Sequence, residues 1–176
     1  KNAGKNAVLS SSFRGDGSLS EMCVVPVHGT KAWPPRPEDA AKAHFVVPDE
    51  EAFKKKLTDV TMPNFYAVIR DAMRKSGFAE DAIDYLAILH FKRSSHVAVL
   101  AELGLREDQS TYLDDYGHIG QNDQVLSLEL GLKAGKVKDG SRIVFVGAGL
   151  GFVWAATVIQ WGGGALRTSG INYLMV

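Results

Sequence analysis

Apolar residues along the chain fall into runs whose lengths and spacings alternate between those of strands and those of helices. Residues 22–27, Met-Cys-Val-Val-Pro-Val, predict a buried strand. The loop after it carries Trp33-Pro34-Pro35-Arg36-Pro37, where proline removes amide donors and restrains its predecessor, so helix is excluded. After Pro48, Asp49 is placed to cap a short polar helix that ends near the cationic run Lys54-Lys55-Lys56. Pro63 in a first helical turn, Phe65, Ile69 and Met73 at four-residue spacing, and Gly77 as the stop predict a second, core-facing helix. The unbroken apolar run 85–89 predicts a strand that delivers His90 to its carboxyl end, and a helix over 94–103 stopped by Gly104 follows. Tyr112 and Leu113 begin a short strand that enters the glycine-flanked loop 114–120. A helix over 122–134 comes next, which puts His118 at a strand-to-helix junction. A turn at 135–140, a strand at 142–146, a glycine-rich bend and a strand at 152–160 complete the pattern.

That order of elements predicts an α/β layer whose apolar strands are covered on both faces. No internal repeat is visible. Residues 1–21, rich in Gly, Ser and Asn around Val8 and Leu9, read as a segment entered from elsewhere. Residues 22–161 read as the domain and 162–176 as a C-terminal tail.

Composition narrows the function classes. Twenty Lys and Arg balance twenty Asp and Glu, so no chain-wide field draws the protein to nucleic acid or to an anionic membrane. The single cysteine, Cys23, forms no internal disulfide and belongs to no zinc-type spacing. It lies within the apolar run 22–27, where a thiol reads as a small buried hydrophobe rather than a nucleophile. The longest apolar stretch, 143–161, is interrupted by Gly147, Gly149, Gly151 and Gln160, and no apolar signal core opens the chain. A soluble, cytoplasmic protein without nucleic-acid or membrane partners is expected.

Three landmarks occur in one order: His90-Phe91-Lys92-Arg93 after an apolar strand, the loop Tyr116-Gly117-His118, and the hairpin Gly149-Leu150-Gly151-Phe152-Val153-Trp154. Together, from Arg14 to Trp161, they resemble the second half of the type III ketoacyl synthases, condensing enzymes of the thiolase superfamily that includes chalcone and stilbene synthases. That family reads His-Gln-Ala-Asn, Tyr-Gly-Asn and Gly-Gly-Gly-Phe-Thr-Trp at these places. Gly15-Asp16-Gly17 is similar to the family's Gly-Asp-Gly-Ala turn. The resemblance implies a thiolase-like layered fold, C-terminal half, with a mixed five-stranded sheet and covering helices.

It also implies an acyltransferase that forms or cleaves C–C bonds in thioesters of coenzyme A or of the phosphopantetheine of acyl carrier protein, with no cofactor bound permanently and no metal. His90 and His118 are then catalytic residues that stabilise an enolate oxygen, and Gly149 and Gly151 shape an oxyanion hole. Lys92 and Arg93 are candidates for contact with substrate phosphates. Where the family has asparagine this chain has His118, and an imidazole takes up a proton where an amide does not. The family's cysteine nucleophile belongs to its first half, so the resemblance implies an N-terminal cysteine-bearing half as partner, in a homo- or hetero-oligomer. Two other readings stand beside this one. One is a non-catalytic thiolase-fold subunit that binds and stabilises a catalytic partner. The other is a nucleotide-binding domain using Gly147 to Gly151, which would need a helix after the glycines.

Overall fold

The computed structural model describes residues 4–29, 33–34 and 36–163. A four-stranded mixed sheet, in the order β1-β4-β3-β2, forms the middle of an α/β sandwich. The strands are β1 (Ala7–Gly15), β2 (Tyr85–Ile88), β3 (Arg142–Gly149) and β4 (Val153–Gln160). Strand β2 pairs parallel to β3, while β3–β4 and β4–β1 are antiparallel. The helices are α1 (Glu50–Lys75), α2 (Arg93–Glu102) and α3 (Asp123–Lys133).

Alternation along the strands defines two cores. Leu86, Ile88, Val144, Val146, Trp154, Ala156 and Val158 face α1 and α2 and join Phe65, Ile69, Met73 and Val99 in the larger core. Tyr85, Ala87 and Ile143 point the other way, against α3. Both faces of β2 are therefore covered, and all four of its residues are buried.

The sheet differs from the five strands expected. Residues 22–27 contribute only an isolated bridge, Val24 to Val46, because Pro26 offers no amide to a ladder. Tyr112 and Leu113 form no strand; Ser110 makes a single parallel bridge to Leu86. The added strand, β1, lies in the serine-rich lead-in. Its polar residues are satisfied rather than exposed: Ser10 Oγ donates to the Ala72 carbonyl at 2.6 Å, Ser12 Oγ donates to Asp71 at 2.6 Å, and Ser11 and Thr157 share a hydroxyl pair at 2.9 Å.

The two helices expected around Pro63 are one. Asp49 Oδ1 caps it by accepting the Ala52 amide at 2.9 Å, and the helix runs through Pro63 to Lys75. Pro63 and Asp59 are both exposed, so the proline, which has no amide to offer the preceding turn, stands on the outer side of the helix rather than in the core. Trp33, in the proline-rich loop, is exposed. Thr30, Lys31, Ala32 and Pro35 of that loop, and the tail beyond Gly163, lie outside the described residues.

Helix α3 packs through an unusual stripe. Its buried residues are Asp123, Ser127 and Gly131, spaced by four. Gly131 admits the ring of Tyr85, whose hydroxyl donates to the Ser127 carbonyl at 2.6 Å and lies 2.7 Å from Thr111 Oγ1. A Cβ at Gly131 would sit 2.7 Å from Tyr85 Cζ and Oη. Because those bonds and full burial hold the ring in place, Gly131→Ala is expected to destabilise the fold by about 1–3 kcal/mol. A lowered midpoint in urea denaturation is the expected result, and an unchanged midpoint would contradict this packing.

Candidate active site

The end of β2, the start of α3 and the β3–β4 hairpin converge on one carbonyl. Val146 O in β3 accepts the Leu89 amide at 2.9 Å and the Gln124 side-chain amide at 2.8 Å. The Gln124 amide also crosses directly over Gly147, where a Cβ would come within 2.9 Å of Nε2. Two bonds therefore fix both loops relative to the strand that turns at the hairpin.

Asp123, the first residue of α3 and 0 % exposed, joins these loops to each other. Its Oδ2 accepts the His90 backbone amide at 2.7 Å and lies 2.6 Å from His118 Nδ1, while Oδ1 accepts the Ile119 amide at 2.8 Å. A carboxylate buried at a helix amino terminus and met by three N–H groups is well satisfied. Because the carboxylate accepts, His118 carries its proton on Nδ1 when neutral, and Nε2 is left with a free lone pair. The His118 side chain is 56 % exposed, between exposed Tyr116 and Ile119.

The His90 ring lies against Tyr112, with centroids 4.7 Å apart, and its Nδ1 is buried with no hydrogen-bond partner among the described residues. Tyr112 donates its hydroxyl to the Phe91 carbonyl at 3.0 Å, a second tie between the two loops. The structure thus ties the His90 backbone and the His118 ring to one acid that the sequence reading passed over. The available signal was an aspartate opening a helix five residues after a histidine, a position that favours a carboxylate.

Gly149 pairs with Val153, and Leu150 and Gly151 form the exposed apex of the hairpin. Gly151 has φ +129, which favours glycine. The Asp16 amide donates to the Phe152 carbonyl at 2.9 Å, so the Gly15-Asp16-Gly17 turn buttresses this hairpin. Strand β4, not a helix, follows the glycines, which removes the basis for a nucleotide-binding loop. Lys92 is exposed at the N-cap of α2. Arg93 is engaged: it contacts Asp114 at 2.6 Å and lies 4.5 Å over the Tyr112 ring. Cys23 is half-buried against the larger core. Among the described residues no group of three or more His, Cys, Asp or Glu is arranged to hold a metal, and no helix is long and apolar enough to cross a membrane.

The sequence profile for "3-Oxoacyl-[acyl-carrier-protein (ACP)] synthase III C terminal" matches residues 73–161, just over half the chain and the part that builds this site. The chain belongs to this family. The beta-ketoacyl-[acyl-carrier-protein] synthase III of Oceanobacillus iheyensis is 26% identical over 123 residues, 68% of this chain and 37% of that protein. The same-named protein of Staphylococcus epidermidis is 28% identical over 134 residues, 70% of this chain and 42% of that one. The chain therefore spans about two fifths of the length of these relatives.

Solved structures share its thiolase-type fold. The synthase III of Aquifex aeolicus VF5 superposes with a TM-score of 0.68 at 20% identity, over 92% of this chain and 46% of that one. ChlB3, which is named an acyltransferase, superposes with a TM-score of 0.65 at 21% identity, over 96% of this chain and 49% of its own.

His96 on α2 is 5 % exposed, between Phe91 and Tyr112. Burial, and then the positive charges of Arg93, His90 and Lys136, lower its pKa from 6.5 to about 4. Between those values the unfolded chain binds a proton on His96 that the native chain refuses. The associated stability is full above pH 6.5 and falls as pH drops toward 4, by at most about 3 kcal/mol. Urea denaturation at about pH 7.5 and about pH 4.5 checks this. His96→Phe is expected to flatten the loss, and an unchanged slope would contradict it.

Proposed function

We propose that the chain supplies the base-bearing half of an acyltransferase that works on acyl thioesters, with His118 as the proton-accepting residue. The observation that carries this reading is the 2.6 Å contact between His118 Nδ1 and buried Asp123. A neutral imidazole whose Nδ1–H is held by a carboxylate presents Nε2 to a nucleophile, takes its proton, and becomes an imidazolium that the carboxylate stabilises. An asparagine at that place would donate hydrogen bonds but accept no proton. His90, held by its backbone on Asp123 and by Tyr112, is proposed to donate to the oxygen on which charge develops. Gly149 and Gly151 are proposed to shape the oxyanion hole, because positions without side chains on either side of Leu150 leave room for close approach of a carbonyl.

The nucleophilic cysteine is assigned to an N-terminal thiolase-fold half, as family membership and the relatives' greater length support. Its contact surface is the sheet face away from α1. There Phe13, Val153 and, on α3, Val125 and Leu132 are exposed apolar residues. Burial of that face favours a tight homo- or hetero-oligomeric assembly. The acyl donor is proposed to be an acyl-CoA or an acyl carrier protein, with Lys92 and Arg93 beside His90 for the phosphates.

The His118–Asp123 pair favours one refinement. A base that accepts protons serves transfer to an acceptor O–H, N–H or acidic C–H, as well as condensation driven by decarboxylation. In the assembly with the cysteine-bearing half, release of free coenzyme A from acyl-CoA provides the assay. His118→Ala is expected to lower kcat about 10²–10⁴-fold, and Asp123→Asn is expected to lower it with a shifted pH profile, with assembly by gel filtration unchanged. If both variants, and His90→Ala, assembled and turned over at the full rate, the catalytic reading would fall and a non-catalytic stabilising subunit would replace it.

A further inference from the structure

The backbone does not explain the glycine at 147. Gly140 and Gly151 have φ of +87 and +129, whereas Gly147 lies outside the left-handed region. It sits within β3, paired with Ala155, where a glycine weakens the strand unless something must approach closely. Gln124, the second residue of α3, makes that approach. A Cβ at Gly147 would come within 2.9 Å of Gln124 Nε2, and its next neighbour, Cδ of the same side chain, is 3.9 Å away. The same Nε2 donates to the Val146 carbonyl at 2.8 Å. Glycine and glutamine are thus two halves of one contact, because the missing side chain is the space through which the amide reaches the strand.

The place of this contact ties it to the site. Asp123 and Gln124 are consecutive on α3 and hold different parts: Asp123 the His90 amide and the His118 ring, Gln124 the strand β3. Gly147 and Gly149 lie on one face of β3, two residues and about 7 Å apart. Beyond Gly149 the chain turns directly into β4, so a shift of β3 at Val146 is passed on to Gly149 and Gly151. Among the described residues no other hydrogen bond joins α3 to β3. We propose that Gln124 is a positioning residue, which sets the β3–β4 hairpin and its glycines in register with His118. The role rests on the proposed oxyanion function of Gly149 and Gly151. An oxyanion hole stabilises charge only when its donors already stand where that charge forms. Loss of register is therefore read in kcat with KM held, the mark of an interaction made in the transition state.

Two substitutions break the contact from opposite sides: Gln124→Ala removes the donor, and Gly147→Ala adds the Cβ that displaces it. In the assembly with the cysteine-bearing half, each is expected to lower kcat for coenzyme A release about 10–100-fold, with KM within about twofold. The double variant is expected to lose no more than either single one, because both remove the same bond. Gln124→Glu, which keeps the shape without the donor, is expected to match Gln124→Ala. In the chain alone, the amide NMR resonances of residues 149–151 are expected to move in each variant while those of β2 stay. An unaltered kcat, losses that multiply in the double variant, or resonances at 149–151 that stay in place in both single variants overturn the proposal. If the unaltered assembly releases no coenzyme A, the acyl-transfer reading fails by itself and the resonances decide: movement in both variants upholds Gln124 as the anchor of the hairpin, and stillness overturns it.

Discussion

The Asp123 carboxylate is the constraint on which the site depends. A buried carboxylate costs several kcal/mol in desolvation unless its lone pairs are met, and here they are met by two backbone amides and one imidazole nitrogen. Those donors belong to two separate loops, one leaving β2 and one entering α3. Satisfying the acid therefore requires both loops in place at once. The need to bury Asp123 thus becomes a device that ties the His90 backbone and the His118 ring to one carboxylate.

The rest of the fold keeps that acid where it is. Asp123, Ser127 and Gly131 form a single stripe on α3, and each is used differently against the sheet. Gly131 makes room for Tyr85, Ser127 receives the Tyr85 hydroxyl, and Asp123 reaches past the end of β2 to the His90 amide. Val146 then ties both loops to the strand that enters the hairpin. Leu128 packs inward against the Tyr85, Ala87, Val137 and Ile143 cluster while Val125 and Leu132 face outward, so this helix is held by apolar and polar contacts inward and presents a hydrophobic surface elsewhere. Helix α3 thereby serves the site on one face and offers a surface for association on the other.

Much of this was legible in the chain. Strands at 85–88 and from 142 to 146, the latter running on to Gly149, and helices after Lys92 and Asn122 follow from apolar runs and glycine punctuation. What escaped was held by polar contacts across long sequence separations. Strand β1 reads as polar linker until Ser10 and Ser12 find Ala72 and Asp71 on α1. Pro63 reads as a helix start, because a sequence does not show that it stands on the outer side of a longer helix. Asp123 escaped notice, because its three donors come from residues 90, 118 and 119. Residues 22–27 had the composition of a strand but no neighbour with which to pair beyond Val46.

Amide hydrogen exchange of Asp123→Asn against the unaltered protein measures the coupling most directly. An asparagine keeps the shape but replaces one acceptor oxygen with a donor and weakens the rest. The account predicts that the His90 and Ile119 amides lose protection together while the β2–β3 ladder amides keep theirs. Protection of His90 and Ile119 that is unchanged, or that falls at only one of the two, would show that the loops are held independently and that Asp123 is not what joins them.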